Sequence, residues 1–161
     1  MSMTAAKTRT TGLGTVLVAI GANDEGRVDR LVEEAIDVAE PAGATVVLGH
    51  AFSEEGYAEN RDRLEFDRDS EVTPDAVARR HSTLREVAKR LDEAGVDYEV
   101  RGVVGERGKA VVDLAERTEA ERVLVGGRKR SPTGKAVFGS TAQEVLLSAP
   151  CPVTFVREDT E

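Results

Sequence analysis

A chain of 161 residues is the length of one domain and can bury a substantial core, and its 30 acidic against 22 basic side chains leave a net charge of −8. That balance argues against broad nucleic-acid binding, which needs a basic face, and no apolar run approaches the ~20 residues of a membrane span. The single cysteine, Cys151, excludes an internal disulfide and fits a reducing cytoplasm, and no cluster of Cys and His is present to hold zinc. Only five of the 22 basic residues are Lys. An acidic, Lys-poor surface suggests a salt-adapted cytoplasm, where carboxylates keep their hydration while salt screens their repulsion. The alternative is an acidic mesophile protein from a GC-rich genome.

Residues 1–12 are polar, lack the apolar segment of a signal peptide, and read as a disordered lead-in to a domain over 13–157. Leu13 to Ile20 is a near-continuous apolar run, the mark of a central parallel strand buried on both faces. Gly21 to Gly26 breaks it with turn residues. A helix is predicted over 27–40, where Val28, Leu31, Val32, Ala35, Ile36 and Ala39 recur at three- and four-residue spacing, ended by Pro41-Ala-Gly43. Ala44 to Ala51 is a second buried-type strand. Residues 53–73 are charged and aperiodic, an irregular or partly helical excursion that Tyr57, Leu64 and Phe66 would pin down.

One helix is predicted over 74–94, with Pro74 in its first turn, Val77, His81, Leu84, Ala88 and Leu91 along one stripe, and Gly95 as its C′ residue. A less buried third strand follows at 98–104, then a turn at Gly105-Glu-Arg-Gly108, and a short helix over 109–117. Residues 122–125 form the fourth strand, 140–148 a helix and 153–156 the fifth strand, with a tail after it. Strands alternating with helices, without internal repeats or a linker, predict a single α/β domain: a doubly wound, parallel, five-stranded sheet with right-handed crossovers. Ligands in such sheets sit outside the carboxyl ends of the strands, where strand order reverses.

The site chemistry concentrates in Val123 to Thr141. Apolar residues run into Gly126 and Gly127, then into a basic loop with Arg128, Lys129, Arg130 and Lys135, then into Gly139-Ser140-Thr141 at the start of the last helix. Ser140 or Thr141 is expected at or near the N-cap, its hydroxyl accepting from first-turn amides, with spare amides and the helix dipole favouring an anion. A P-loop is excluded, because Gly134-Lys135 is followed by Ala136 and no Gly stands five residues before Gly134. No Gly-x-Gly-x-x-Gly connects a strand to a helix either. The competing reading is an ordinary solvated connection. His50, ending a buried strand, and His81, on an apolar stripe, read as packing residues, and Cys151 as a small core residue.

The chain resembles the universal stress protein family over roughly Leu13 to Val156. The likeness rests on the order of elements, His50 at the end of the second strand, the Val103-Val104-Gly105 turn and the run Ser148 to Val153 before the last strand. Nucleotide-binding members carry Gly, two residues, Gly, nine residues, Gly, then Ser or Thr after the fourth strand. Gly126 takes the first place here, Lys129 stands where the second Gly is expected, and Gly139-Ser140 complete the pattern after nine residues, 130–138. The family commonly has Asp after the first strand, where this chain has Gly21, with Asp24 three residues on.

The resemblance implies a Rossmann-like sheet of order 3-2-1-4-5, akin to the adenine nucleotide α-hydrolase fold, and a homodimer through the last strand. By position it implies phosphate contacts from Gly126, Gly127, Arg128, Lys129, Gly139, Ser140 and Thr141, and base-side contacts from Ala19, Ile20, Gly21 and Ala51. The expected ligand is ATP, AMP or another adenine nucleotide, with magnesium held through the nucleotide and Asp24 the carboxylate to contact it. No dedicated metal site is expected. With no general base placed by motif, no paired carboxylates and no partnered nucleophile, no catalytic residue is assigned. Two functions stand open: a dimeric cytoplasmic stress-response protein that binds an adenine nucleotide, or a dimeric interaction protein of the same fold that binds none. A slow ATPase or self-phosphorylation at Ser140 or Thr141 is a third, less favoured reading.

Overall fold

The computed structural model describes residues 13–21, 28–64, 72–127 and 139–157. Five strands, β1 (Thr15–Ala19), β2 (Thr45–Phe52), β3 (Tyr98–Val104), β4 (Arg122–Gly127) and β5 (Val153–Arg157), alternate with helices. They form one sheet of order β3-β2-β1-β4-β5, parallel at every pairing. Strand order reverses between β1 and β4, which pair directly through Val16 to Ala19 and Arg122 to Val125. The doubly wound sheet expected from the alternation is therefore the one observed.

Alternate residues of the central strands feed two cores. Val16, Val18, Ile20, Val46, Leu48 and Leu124 face α1 (Val28–Ala42), α3 (Pro74–Arg79) and α4 (Ser82–Glu93), whose Leu31, Val32, Val77, Leu84 and Leu91 complete that layer. Leu17, Ala19, Val47, Ala51, Val123 and Val125 face α5 (Arg107–Arg117) and α6 (Ser140–Ser148) through Val111, Leu114, Ala142 and Val145. Burial on both faces is why β1 and β4 read as unbroken apolar runs rather than alternating ones.

Three elements differ from the sequence expectation. Helix α1 continues past Pro41, which lies in its last turn, to Ala42. Gly43 at φ 66° then closes it, with the Ala44 N–H donating to Ala39 O at 3.0 Å, the Schellman arrangement that glycine favours. The excursion after β2 is partly helical, as expected, with a ten-residue helix, α2 (Glu54–Arg63), that has no buried residue. Tyr57 and Leu64 do pack against the core; Phe66 lies outside the described residues.

The single helix predicted over 74–94 is two. Arg80 ends α3, and His81, extended at φ −67° and ψ 130°, is the N-cap of α4, its Nδ1 accepting from the Thr83 N–H. The apolar stripe keeps its phase across this break, so periodicity alone passes through it. Gly95, at φ 75°, does follow the C-cap Ala94. Helix α5 starts at Arg107, two residues before the expected start.

Candidate functional site

At the carboxyl ends of β1, β2 and β4, where strand order reverses, an open cavity of about 240 Å³ is bordered by the first turns of α5 and α6, a little below the usual range for small-molecule sites. Its floor is made of small residues: Ala19 of β1, paired with Gly49 of β2, and Ala51. Ile20 and Gly21 continue from β1, Val125, Gly126 and Gly127 from β4, and Gly139, Ser140, Thr141 and Ala142 supply the α6 wall. Arg107 and Val111 supply the α5 wall.

The α6 wall is built from amides. Its first intrahelical bond runs from Gln143 N–H to Gly139 O at 2.9 Å, so the N–H groups of Gly139, Ser140, Thr141 and Ala142 have no helical acceptor. These are the four α6 residues at the cavity. The N-cap is Gly139, not Ser140 or Thr141, and no side chain caps the helix. Both hydroxyl residues therefore sit inside the first turn, where their amides point with the positive end of the dipole. Gly139 has an ordinary φ of −67°, and an added Cβ would meet nothing within 4 Å. Neither backbone geometry nor packing among the described residues demands glycine there.

The α5 wall is held close by a true packing requirement. A Cβ on Gly108 would lie 2.5 Å from Glu144 Cβ of α6, so only glycine lets the two first turns dock side by side. That docking places Arg107, half-buried, at the cavity. Glu106, the N-cap of α5, makes no side-chain cap bond.

Behind β1, His50 is buried at 5% exposure and its Nδ1–H donates to Ile20 O at 2.7 Å, fixing the backbone that forms the cavity edge. Its ring lies 4.5 Å from that of Phe52 and 4.8 Å from that of His81. Burial, with help from the nearby His81 and Arg107 charges, depresses the His50 pKa to about 4. Burial and then Arg63 also lower that of His81. Both rings are therefore neutral near pH 7, which suits one as a buried donor and the other as a capping acceptor. Burial raises the Cys151 thiol above its usual range, away from the nucleophilic thiolate.

The geometry thus gathers Ala19, Ile20, Gly21, Ala51, Gly126, Gly127, Gly139, Ser140 and Thr141 around one cavity. Arg128, Lys129 and Asp24 lie outside the described residues, as do Arg130 and Lys135. Sequence reading missed Gly49, Arg107, Val111, Val125 and Ala142. The available signal for Arg107 was topological: in this strand order the helix after β3 must cross from the sheet edge to reach β4, over the face that borders the reversal. Among the described residues no group of three or more His, Cys, Asp or Glu is placed to hold a metal ion, and no helix is long and apolar enough to cross a membrane.

A doubly wound sheet with an amide-lined crevice at its reversal defines a class of small-ligand-binding α/β proteins. Residues 12–157 match the family model described as "Universal stress protein family", and the chain belongs to that family. A universal stress protein of Mycolicibacterium smegmatis is 29% identical over 143 residues, which is 88% of this chain and 96% of the relative. A solved universal stress protein from Archaeoglobus fulgidus superposes with a TM-score of 0.69 at 28% identity, over 89% of this chain and 98% of its own. A structure of the universal stress protein from the same organism in complex with dAMP shares the fold at 20% identity and a TM-score of 0.62, covering 89% and 97%.

Proposed function

We propose that this universal stress protein binds an adenine nucleotide, ATP or AMP, in the cavity between α5 and α6, and acts as a non-catalytic stress-response protein. The observation that carries the reading is the α6 N-terminus: the four residues whose amides have no helical acceptor line the cavity, beginning with an N-cap residue that has no side chain. Such an end favours a phosphate through both its donors and its dipole. The small floor of Ala19, Gly49 and Ala51 leaves room for a flat base, and the A. fulgidus relative was solved with dAMP. Gly126, Gly127, Gly139, Ser140 and Thr141 take the phosphate side, joined from the loop by Arg128 and Lys129; Ala19, Ile20, Gly21 and Ala51 take the base side. Magnesium enters with a triphosphate, contacted by Asp24.

Calorimetric titration with AMP, and with ATP with and without magnesium, tests this directly. We expect binding by the wild-type chain and its loss in Gly139→Val, with the melting temperature lowered only by the poorer N-cap, since a Cβ there meets no described neighbour within 4 Å. No heat at millimolar nucleotide would leave the non-nucleotide-binding interaction protein as the reading to adopt.

The assembly reading is a homodimer through β5, supported by the exposure of Leu147 at 78% on the preceding helix and by β5 being a sheet edge. Light scattering tests it, and a monomer would overturn it. A salt-adapted cytoplasmic habitat is supported by the net charge of −8; a melting temperature that fails to rise between low and molar salt would sink it.

A further inference from the structure

We propose that Arg107 is a phosphate-holding residue of this cavity, supplying from the α5 wall a countercharge for the ligand's anion. This rests on the nucleotide reading above and deepens it. Among the described residues lining the cavity Arg107 is the only charged one, and none of them is a carboxylate. In a chain with 30 acidic side chains, a crevice whose described lining holds a cation and no acid is complementary to an anion.

Several other arginines among the described residues are paired. Arg90 pairs with Asp29 at 2.8 Å, Arg101 with Asp75 and Glu99, and Arg117 with Asp113. Arg107 has no salt-bridge partner among the described residues, although half-buried. Its charge nevertheless reaches inward, being one of the influences that lower the pKa of His50. Position is fixed by packing rather than by a surface loop: Gly108 locks the first turn of α5 against Glu144, and its virtual Cβ lies only 3.6 Å from Thr141 O. The guanidinium therefore starts one residue from the turn whose free amides face the same space. A planar fork of donors opposite a set of amides is a two-sided clamp for phosphate oxygens.

The test compares AMP with adenosine on wild type, Arg107→Ala and Arg107→Lys by calorimetry. Alanine suits the first helical turn, so the fold is retained, and circular dichroism checks it. The wild type is expected to bind AMP more tightly than adenosine. Arg107→Ala should weaken AMP by about tenfold to a hundredfold, as for loss of a charge-assisted bond, leave adenosine unchanged and reduce the salt dependence of AMP binding. Arg107→Lys should recover part of the loss. Equal weakening of AMP and adenosine would assign the residue to the base and overturn the proposal, as would unchanged AMP affinity. If the wild type binds neither compound, the nucleotide reading itself fails and the role of Arg107 falls with it, an outcome distinct from the other two.

Discussion

The helix starts with a described N-cap, those of α2 to α6, fall into two groups. On α2, α3 and α4 the N-cap side chain closes the end: Ser53 accepts from Gly56 N–H, Thr73 from Ala76 N–H and His81 from Thr83 N–H. On α5 and α6, which flank the cavity, no side chain does so. A side-chain cap is worth about 1 kcal/mol to a helix, and the stabilisation is present where the ends have only a structural task. It is omitted at the two ends that border the crevice. The contrast distinguishes scaffold from site without reference to any ligand, and it is open to attack from either side.

The largest expected effect lies on the capped side and depends on neutral imidazoles. His50 has a pKa of about 4 in the fold against about 6.5 in an unfolded chain. As pH falls through 6.5 the unfolded state takes up the proton first, so stability declines between pH 6.5 and about 4 and is flat below. The gap corresponds to about 3 kcal/mol. His81 adds to the loss in the same direction, since a protonated Nδ1 no longer accepts from Thr83. Urea midpoints at pH 7 and 4.5 measure this. Most of the decline should vanish in His50→Gln, and an equally steep decline in that variant would assign the acid sensitivity to carboxylates instead.

Next in size is the joint between the two uncapped helices. Gly108→Ala places a Cβ 2.5 Å from Glu144 Cβ, and overpacking of this kind costs about 2 kcal/mol. Because the clash lies between the first turns of α5 and α6, nucleotide affinity should fall together with the melting temperature. A stable variant with normal affinity would show that the walls move independently. Smaller again is Thr73→Ala, which opens the α3 cap bond of 3.2 Å. It should cost about 1 kcal/mol in chemical denaturation and leave nucleotide affinity untouched, since Thr73 is not at the cavity.

Much of this arrangement was legible in the residues. The central strands announced themselves because burial on both faces forces continuous apolar runs, as in Thr15 to Ala19 and Thr45 to Phe52. Alternation with helices then gave the sheet and the position of the crevice. The break at His81 was not legible, since the stripe from Val77 to Leu91 stays in register across it and histidine is not among the usual capping residues. Helix α2 was expected only as part of a partly helical excursion, without bounds, because it has no apolar face, only the Ser53 cap and the acidic first turn of Glu54 and Glu55. Arg107 was overlooked for a different reason. Between Gly105 and Gly108 it reads as a turn residue, and only the docking of α5 on α6 turns it toward a shared space.

The smallest effect is the sharpest for the comparison. Gly139→Ser would give α6 the cap that α2 has, a hydroxyl able to accept from a first-turn amide. Since φ is −67° and ψ 163°, the region N-cap serine adopts, and a Cβ meets no atom of the described residues within 4 Å, the described fold offers no resistance. Stability without ligand should rise by a few tenths of a kcal/mol. Nucleotide affinity should fall at the same time, because the new hydroxyl competes for the amides that a phosphate would use. A gain in stability with affinity unchanged would mean the free amides of α6 do not hold the ligand. A loss of stability would mean that glycine at 139 serves the fold after all, and the division between capped scaffold and open site would have to be abandoned.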